Sequence, residues 1–258
     1  MAEAPQRVAV VTGGLAGIGL SIAKKLNADG HRVAIGARRG DDPAMHEMAA
    51  KEVGPDTFVA KLDVCDEASV ETFCNAVETT CGPIDILVNA AGITIHHTVT
   101  GHSLKAWTDV IDTNLTGPFL TTRATLPGMI ERGWGRIVNI ASTAAKSAVA
   151  DHPAYCASKA GLLGLTRAVA LEGAPHGVSC VSVSPTWVET EMLRSSAAIM
   201  AKEHGHSVDD EIAALAKANP QNRLVQPEEI AALVAFLCSD AAPALTMEDI
   251  SVNAGAHW

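Results

Sequence analysis

A tyrosine and a lysine four residues apart, Tyr155 and Lys159, stand thirteen residues downstream of a serine, Ser142. On a helix, positions i and i+4 share a face, so the phenol and the ammonium would lie side by side. An isolated tyrosine is a poor acid or base at neutral pH, because its pKa is about 10. A neighbouring cation favours the phenolate and lowers that value. Tuned in this way, Tyr155 could serve as a general acid/base, with the Ser142 hydroxyl holding a substrate oxygen. The Tyr-x-x-x-Lys spacing alone is weak, since it also marks ordinary amphipathic helices. The rest of the chain must supply the remainder of a site.

The elements that would position these groups read as alternating strands and helices. Arg7 to Val11 is the β-branched run expected of a buried parallel strand. It ends in a turn holding Gly13, Gly14, Gly17, Ile18 and Gly19, and Leu20 to Ala28 then reads as a helix. Glycines between a strand and a helix let the backbone approach a pyrophosphate at the positive helix N-terminus. The spacing is Gly-x-x-x-Gly-x-Gly, not the Gly-x-Gly-x-x-Gly of longer dinucleotide enzymes. The second strand, Arg32 to Gly36, ends in Ala37-Arg38-Arg39, where NAD-binding folds usually place a carboxylate on the adenosine ribose. The first acids, Asp41 and Asp42, come only after Gly40. A carboxylate would repel a 2′-phosphate, whereas Arg38 would pair with it, so NADP(H) is expected over NAD(H). The alternative is a solvated surface arginine pair.

Phe58 to Leu62 is a third strand, with Asp63 and Val64 at its carboxyl end. Open α/β sheets bind ligands at that edge, so Asp63 would bond an adenine amino group or, alternatively, cap the helix from Glu67 to Thr80. Ile84 to Val88 leads into Asn89-Ala90-Ala91-Gly92, small residues that let cofactor and backbone meet. Leu104 to Arg132 reads as one long helical stretch with a kink near Gly117-Pro118. Asn114 sits inside it and, as an indifferent helix former, needs a reason. Arg136 to Ile140 delivers Ser142, and the helix with Tyr155 and Lys159 runs to about Glu172. Val178 to Val183 leads to Pro185, Trp187, Val188 and Thr190. Met192 to Ala218 is a polar, helix-compatible insertion, followed by a helix from Pro227 to Cys238 and a strand from Asp249 to Val252. The alternation has neither linker nor repeat, which predicts one domain over residues 1–258 with a substrate insertion at about 187–218.

Composition narrows the class. The 258 residues are 48% hydrophobic and 19% charged, enough for a sizeable core. Aromatics are only 3%, which leaves the core to Ala, Val, Ile and Leu and favours helices on a parallel sheet. A net charge of −10 argues against nucleic acid as a partner. No apolar run nears the roughly 18 residues of a membrane span, and Met1 to Arg7 lacks the pattern of a signal peptide. The six cysteines include no Cys-x-x-Cys pair and are expected as buried thiols in a cytoplasmic protein.

The motifs Thr12-Gly-x-x-x-Gly-Ile-Gly19, Asn89-Ala-Ala-Gly92, Asn114, Ser142, Tyr155-x-x-x-Lys159 and Pro185 resemble, in order and spacing, the short-chain dehydrogenase/reductase family from about residue 6 to 258. Residues 135–143 and the Ala37-Arg38 pair are especially similar to bacterial ketoreductases that act on polyketides and 3-oxoacyl groups. The resemblance implies a Rossmann-like, doubly wound α/β domain with a seven-stranded parallel sheet and helices on both faces. It implies hydride transfer between NADP(H) and a carbonyl or secondary alcohol. Tyr155 would be the acid/base, and Lys159 would lower its pKa and bond the nicotinamide ribose. Ser142 would position the substrate oxygen, and Asn114 would hold a water in a proton relay. Val188 and Thr190 would contact the nicotinamide carboxamide, while Gly13, Gly17, Ile18, Gly19, Asp63, Val64, Asn89, Gly92 and Pro185 complete the cofactor site. Three departures from the family pattern stand out: Ala90 for an asparagine, Thr186 for a glycine after Pro185, and Asn253-Ala254-Gly255 for Asp-Gly-Gly.

Substrate contacts would come from residues 94–98, 144–153 and 187–207, with Ser142, His152 and Trp187 as the leading candidates. The mixture suits a ketone or β-ketoacyl group. His96, His97 and His152 are alternatively surface histidines, and no ligand spacing among them supports a metal. Hydroxybutyrate dehydrogenases, also similar to parts of the chain, carry a histidine where Ala144 stands, which argues against a small carboxylate substrate. The resemblance further implies a homotetramer, or a homodimer, through the helices near 104–132 and 154–172. Ala154, Ala157, Ala160, Gly161 and Gly164 would permit close packing there, unless that face packs only on its own sheet. Two other classes remain: a cofactor-binding regulator without turnover, and an isomerase or dehydratase, whose chains are usually longer.

Overall fold

The computed structural model describes residues 6–256. Seven parallel strands form one sheet: β1 (Val8–Thr12), β2 (Arg32–Ala37), β3 (Phe58–Lys61), β4 (Ile84–Asn89), β5 (Gly135–Ile140), β6 (Val178–Pro185) and β7 (Asp249–Val252). Their spatial order is β3-β2-β1-β4-β5-β6-β7. Side chains alternate across a strand, and the apolar runs therefore feed two cores. Ala9, Val11, Ile35, Val138 and Val183 face α1 (Gly17–Ala28) and α9 (Pro227–Cys238). Val10, Ala34 and Ile137 face α3 (Glu67–Cys81), α5 (Gly117–Arg132) and α6 (Pro153–Gly173). Burial on both faces explains why these strands read as continuous β-branched runs.

Three local features differ from the sequence reading. A further helix, α2 (Pro43–Glu52), follows β2, and its one fully buried residue is Ala49. Such a helix carries almost no apolar stripe, so hydrophobic periodicity misses it. Its signal lay instead in Asp42, whose carboxylate accepts from the Ala44 N–H, and in Pro43 at the first position.

The stretch from 104 to 132 is α4 (Leu104–Ile111), a π-turn (Asp112–Thr116) and α5. The irregularity lies before Gly117-Pro118, at Asn114. This residue is fully buried, and its amide bonds the main chain of Ile93 on both sides, at 2.9 Å each, and Ser158 Oγ at 3.1 Å. A π-turn adds one residue to the helical circuit and turns that side chain inward.

The insertion is a helical pair, α7 (Glu191–His204) and α8 (Val208–Ala218), that packs through Leu193 and Leu215. The cysteines are free thiols as expected, four of them buried, but Cys65 is exposed and Cys156 only half-buried. On α6, Ala157, Ala160 and Gly164 face outward, whereas Ala154 is buried and a Cβ at Gly161 would come within 2.8 Å of Leu115. Part of the small-residue face is thus committed within the chain. No helix among the described residues is long and apolar enough to cross a membrane.

Candidate active site

Strand order reverses between β1 and β4, and at that switch point the carboxyl ends of the strands open onto a cleft. One side is the glycine turn. Gly13, at φ +68°, lies so close to Ala91 that a Cβ would come within 2.8 Å of its Cα. A Cβ at Gly19 would sit 2.5 Å from the Gly13 carbonyl oxygen. The first turn of α1 has neither a side-chain cap nor an acidic residue, so its N–H groups and positive dipole end are open to an anion. A backbone cradle without side chains at an uncapped helix start fits a dinucleotide pyrophosphate.

Thr12, the last residue of β1, holds the neighbouring loop. It is buried, and its hydroxyl oxygen accepts from both the Ala90 and Ala91 N–H groups at 3.1 Å. The missing asparagine at position 90 thus leaves the backbone there supported. The signal was a hydroxyl residue ending a buried strand beside the glycines.

At the end of β2, Arg38 is exposed and forms no ion pair among the described residues. Its neighbours are engaged: Arg39 pairs with Asp42 at 2.8 Å, and Asp41 with Lys61 at 3.3 Å. The acids that follow Gly40 are therefore occupied, and Arg38 remains the available charge for an adenosine ribose substituent. Asp63 does not cap α3; Asp66 does, accepting from Ala68 N. Asp63 instead accepts from Cys65 N at 3.0 Å through one carboxylate oxygen, and Val64 is buried under Gly117. The Asn89 side chain is engaged within the sheet. Its amide donates to Asn139 and accepts from Thr121 at 2.7 Å, which locks β4 to β5 and α5 rather than facing the cleft.

The chemical groups gather on the opposite side. Ser142 follows β5 in extended conformation and opens a 3-10 turn, its Oγ accepting from Ala144 N. Pro153 starts α6, which carries Tyr155 and Lys159 to the same cleft. Lys159 Nζ is buried, donates to the Ile140 carbonyl at 2.7 Å and lies 5.6 Å from the Tyr155 ring centroid. Burial lowers the lysine's pKa to about 8.

The expected lowering of the phenol pKa does not follow from this arrangement. Burial raises the Tyr155 pKa, and the hydrogen bond with Ser142 opposes that only in part. The ammonium is turned to the Ile140 carbonyl, and desolvation of the phenol dominates. Asn114 borders the lysine, since a Cβ at Gly92 would lie 3.3 Å from Asn114 Oδ1 and 3.7 Å from Lys159 Nζ. The Asn114 side chain bonds Ile93 through both its oxygen and its nitrogen, and Ser158 through its nitrogen.

Ile18, Gly92, Pro185, Val188 and Thr190 line the cleft with His152 and Trp187. Thr190 also caps α7, accepting from Leu193 N at 3.3 Å. Thr186 lines the same wall with a buried hydroxyl that has no hydrogen-bond partner among the described residues. His152 is buried, unlike a surface histidine: Nδ1 meets the Ala150 carbonyl at 2.7 Å, and the ring lies 4.8 Å from His96. Burial lowers its pKa and favours the neutral ring. His97 is exposed.

Comparison with known proteins agrees with this layout. A family model described as enoyl-(acyl carrier protein) reductase matches residues 13–257. An acetoacetyl-CoA reductase of Shinella zoogloeoides is 42% identical over 255 residues, covering 98% of this chain and 99% of the relative. A D-beta-hydroxybutyrate dehydrogenase of Cupriavidus necator is 36% identical, covering 92% of each. The crystal structure of an actinorhodin polyketide ketoreductase variant with NADPH superposes with a TM-score of 0.92 at 37% identity, covering 97% of each chain.

Proposed function

The chain belongs to the short-chain dehydrogenase/reductase family, and from that premise we propose that it is an NADPH-dependent reductase of β-ketoacyl thioesters or similar ketones. One observation carries this reading: Ser142, Tyr155 and Lys159 converge on a cleft whose other end is an uncapped glycine turn. The relatives named above are reductases and dehydrogenases that act between ketone and hydroxyl groups, so oxidoreductase chemistry is the family's property.

When bound, the reduced nicotinamide supplies a hydride to the substrate carbonyl carbon. The chain's own task is the oxygen. As negative charge develops there, the Tyr155 hydroxyl donates its proton and Ser142 donates a second hydrogen bond. A phenol pKa raised by burial keeps Tyr155 protonated at neutral pH, which suits the acid of a reduction. Lys159 would turn its ammonium from Ile140 toward the nicotinamide ribose and stabilise the phenolate left behind. Asn114 holds the loop at Ile93 and so fixes the floor beside Lys159. Val188 and Thr190 would meet the carboxamide, Arg38 the 2′-phosphate, and Asp63, through its remaining oxygen, the adenine.

Apolar walls at Val149, Trp187, Met192 and Leu193 suit an acyl chain better than a sugar. Ala144 is buried in the cleft wall with no group to pair a small carboxylate, which weighs against the hydroxybutyrate reading. A homotetramer or homodimer, in the cytoplasm, completes the proposal. It is supported by exposed Leu104, Phe119 and Leu171 on the outer faces of α4, α5 and α6.

The test is oxidation of NADPH, and separately NADH, with acetoacetyl-CoA, a β-ketoester and an aldose. Fast turnover of the first with NADPH, abolished in Tyr155→Phe, is expected. Full activity in that variant would remove Tyr155 from its role. Tight cofactor binding with no turnover on any ketone would favour a regulator over an enzyme.

A further inference from the structure

His96, His97 and His152 have no metal-ligand spacing. A different set meets where α7 hands over to α8. His204 Nδ1 lies 2.9 Å from Glu211 Oε2, and His206 Nε2 bonds the same oxygen. The three donor atoms lie within 4.8 Å of one another. We propose that His204, His206 and Glu211 bind a divalent transition metal of the zinc class and that the ion staples α7 to α8.

The backbone brings these groups together for identifiable reasons. α7 ends at His204, and Gly205 at φ +75° reverses the chain, so that His206 returns to the side of His204. Ser207 then starts α8 with a capping box to Asp210, which fixes the first turn and aims Glu211 back at both rings. Glu211 is only 3% exposed. A carboxylate so buried ordinarily pairs with arginine or lysine, yet the side chains that bond it among the described residues are the two imidazoles. Two imidazoles and one carboxylate are a donor set that zinc takes readily, at about 2.0–2.2 Å per ligand. Ligands at those distances around a tetrahedral ion stand roughly 3.2–3.6 Å apart, so the rings need withdraw from Glu211 by only about an ångström. Both rings are partly exposed, which leaves an entry path and room for water as a fourth ligand.

None of the three touches the reduction chemistry, but their helix does. The other end of α7 carries Met192, Leu193 and Ser196 on the cleft wall. An ion at 204–211 would fix the far end of that wall.

The test is titration of the chelator-treated full-length protein with Zn²⁺ by calorimetry, with Co²⁺ absorption as the ligand-sensitive probe. One equivalent is expected to bind and to raise Tm. Glu211→Gln, His204→Ala and His206→Ala should each weaken binding by at least about tenfold and remove the Tm shift. His176→Ala, an exposed imidazole elsewhere, should leave binding unchanged. Absence of a stoichiometric site, or equal Zn²⁺ affinity in His206→Ala and wild type, would show a hydrogen-bonded turn only and overturn the proposal. Glu211→Gln keeps the volume of the buried side chain, so it tests the site even if an alanine variant folds poorly.

Discussion

The Lys159 ammonium donates a 2.7 Å hydrogen bond to the carbonyl oxygen of Ile140, the last residue of β5. The bond ties the helix that presents Tyr155 to the strand that delivers Ser142. Among the described residues no carboxylate forms an ion pair with this lysine, and burial lowers its pKa from 10.5 to about 8.

A pH dependence follows. Between about pH 8 and 10.5 the folded chain binds fewer protons at Lys159 than the unfolded chain, so this residue's contribution to stability rises with pH in that window. Below pH 8 the penalty of the buried ammonium is fully present. Lys159→Met is therefore expected to be more stable than wild type at pH 7, by on the order of 3 kcal/mol, with the gap closing toward pH 10.5. Urea denaturation of both proteins across that range measures it. A gap independent of pH would mean that packing, not charge, sets the difference.

Arg38 gives a second prediction. A charge-assisted hydrogen bond contributes about 1.5–3 kcal/mol, so Arg38→Ala should raise the KM for NADPH by roughly tenfold to a hundredfold. The KM for NADH should stay where it is. Equal rises for both cofactors would assign Arg38 to loop structure instead.

Thr12→Val keeps the shape of the side chain but withdraws the acceptor from two N–H groups, at Ala90 and Ala91. Unsatisfied buried donors cost about 1–3 kcal/mol each, and water from the cleft can recover part of that. A loss of about 2 kcal/mol in chemical denaturation is expected, together with weaker cofactor binding. Thr12→Ser should retain both.

Gly19→Ala sets two effects against each other. Alanine in a helix gains up to about 1 kcal/mol over glycine. Here its Cβ would meet the Gly13 carbonyl oxygen at 2.5 Å, and that atom is backbone and cannot rotate away. The clash should win: cofactor affinity, measured by fluorescence titration, is expected to fall more than tenfold, with no gain in stability.

The succession of strands and helices is legible along the chain, because β-branched runs buried on both faces and glycine-rich junctions are local patterns. The sequence also marks Ser142, Tyr155 and Lys159 as candidates, since they stand at spacings that a strand end and a helix face can bring together. Helix α2 was missed because a surface helix with one buried alanine has no apolar period.

What depends on distant neighbours is settled by the fold. It turned Asn89 into a buried network with Asn139 and Thr121, and gave Thr12 its two N–H partners. It moved the helix irregularity to Asn114 and reversed the direction of the Tyr155 shift, because desolvation depends on what surrounds a side chain and not on its spacing. It also brought His206 and Glu211 onto one point, where a left-handed glycine and a helix cap fold a short segment back on itself.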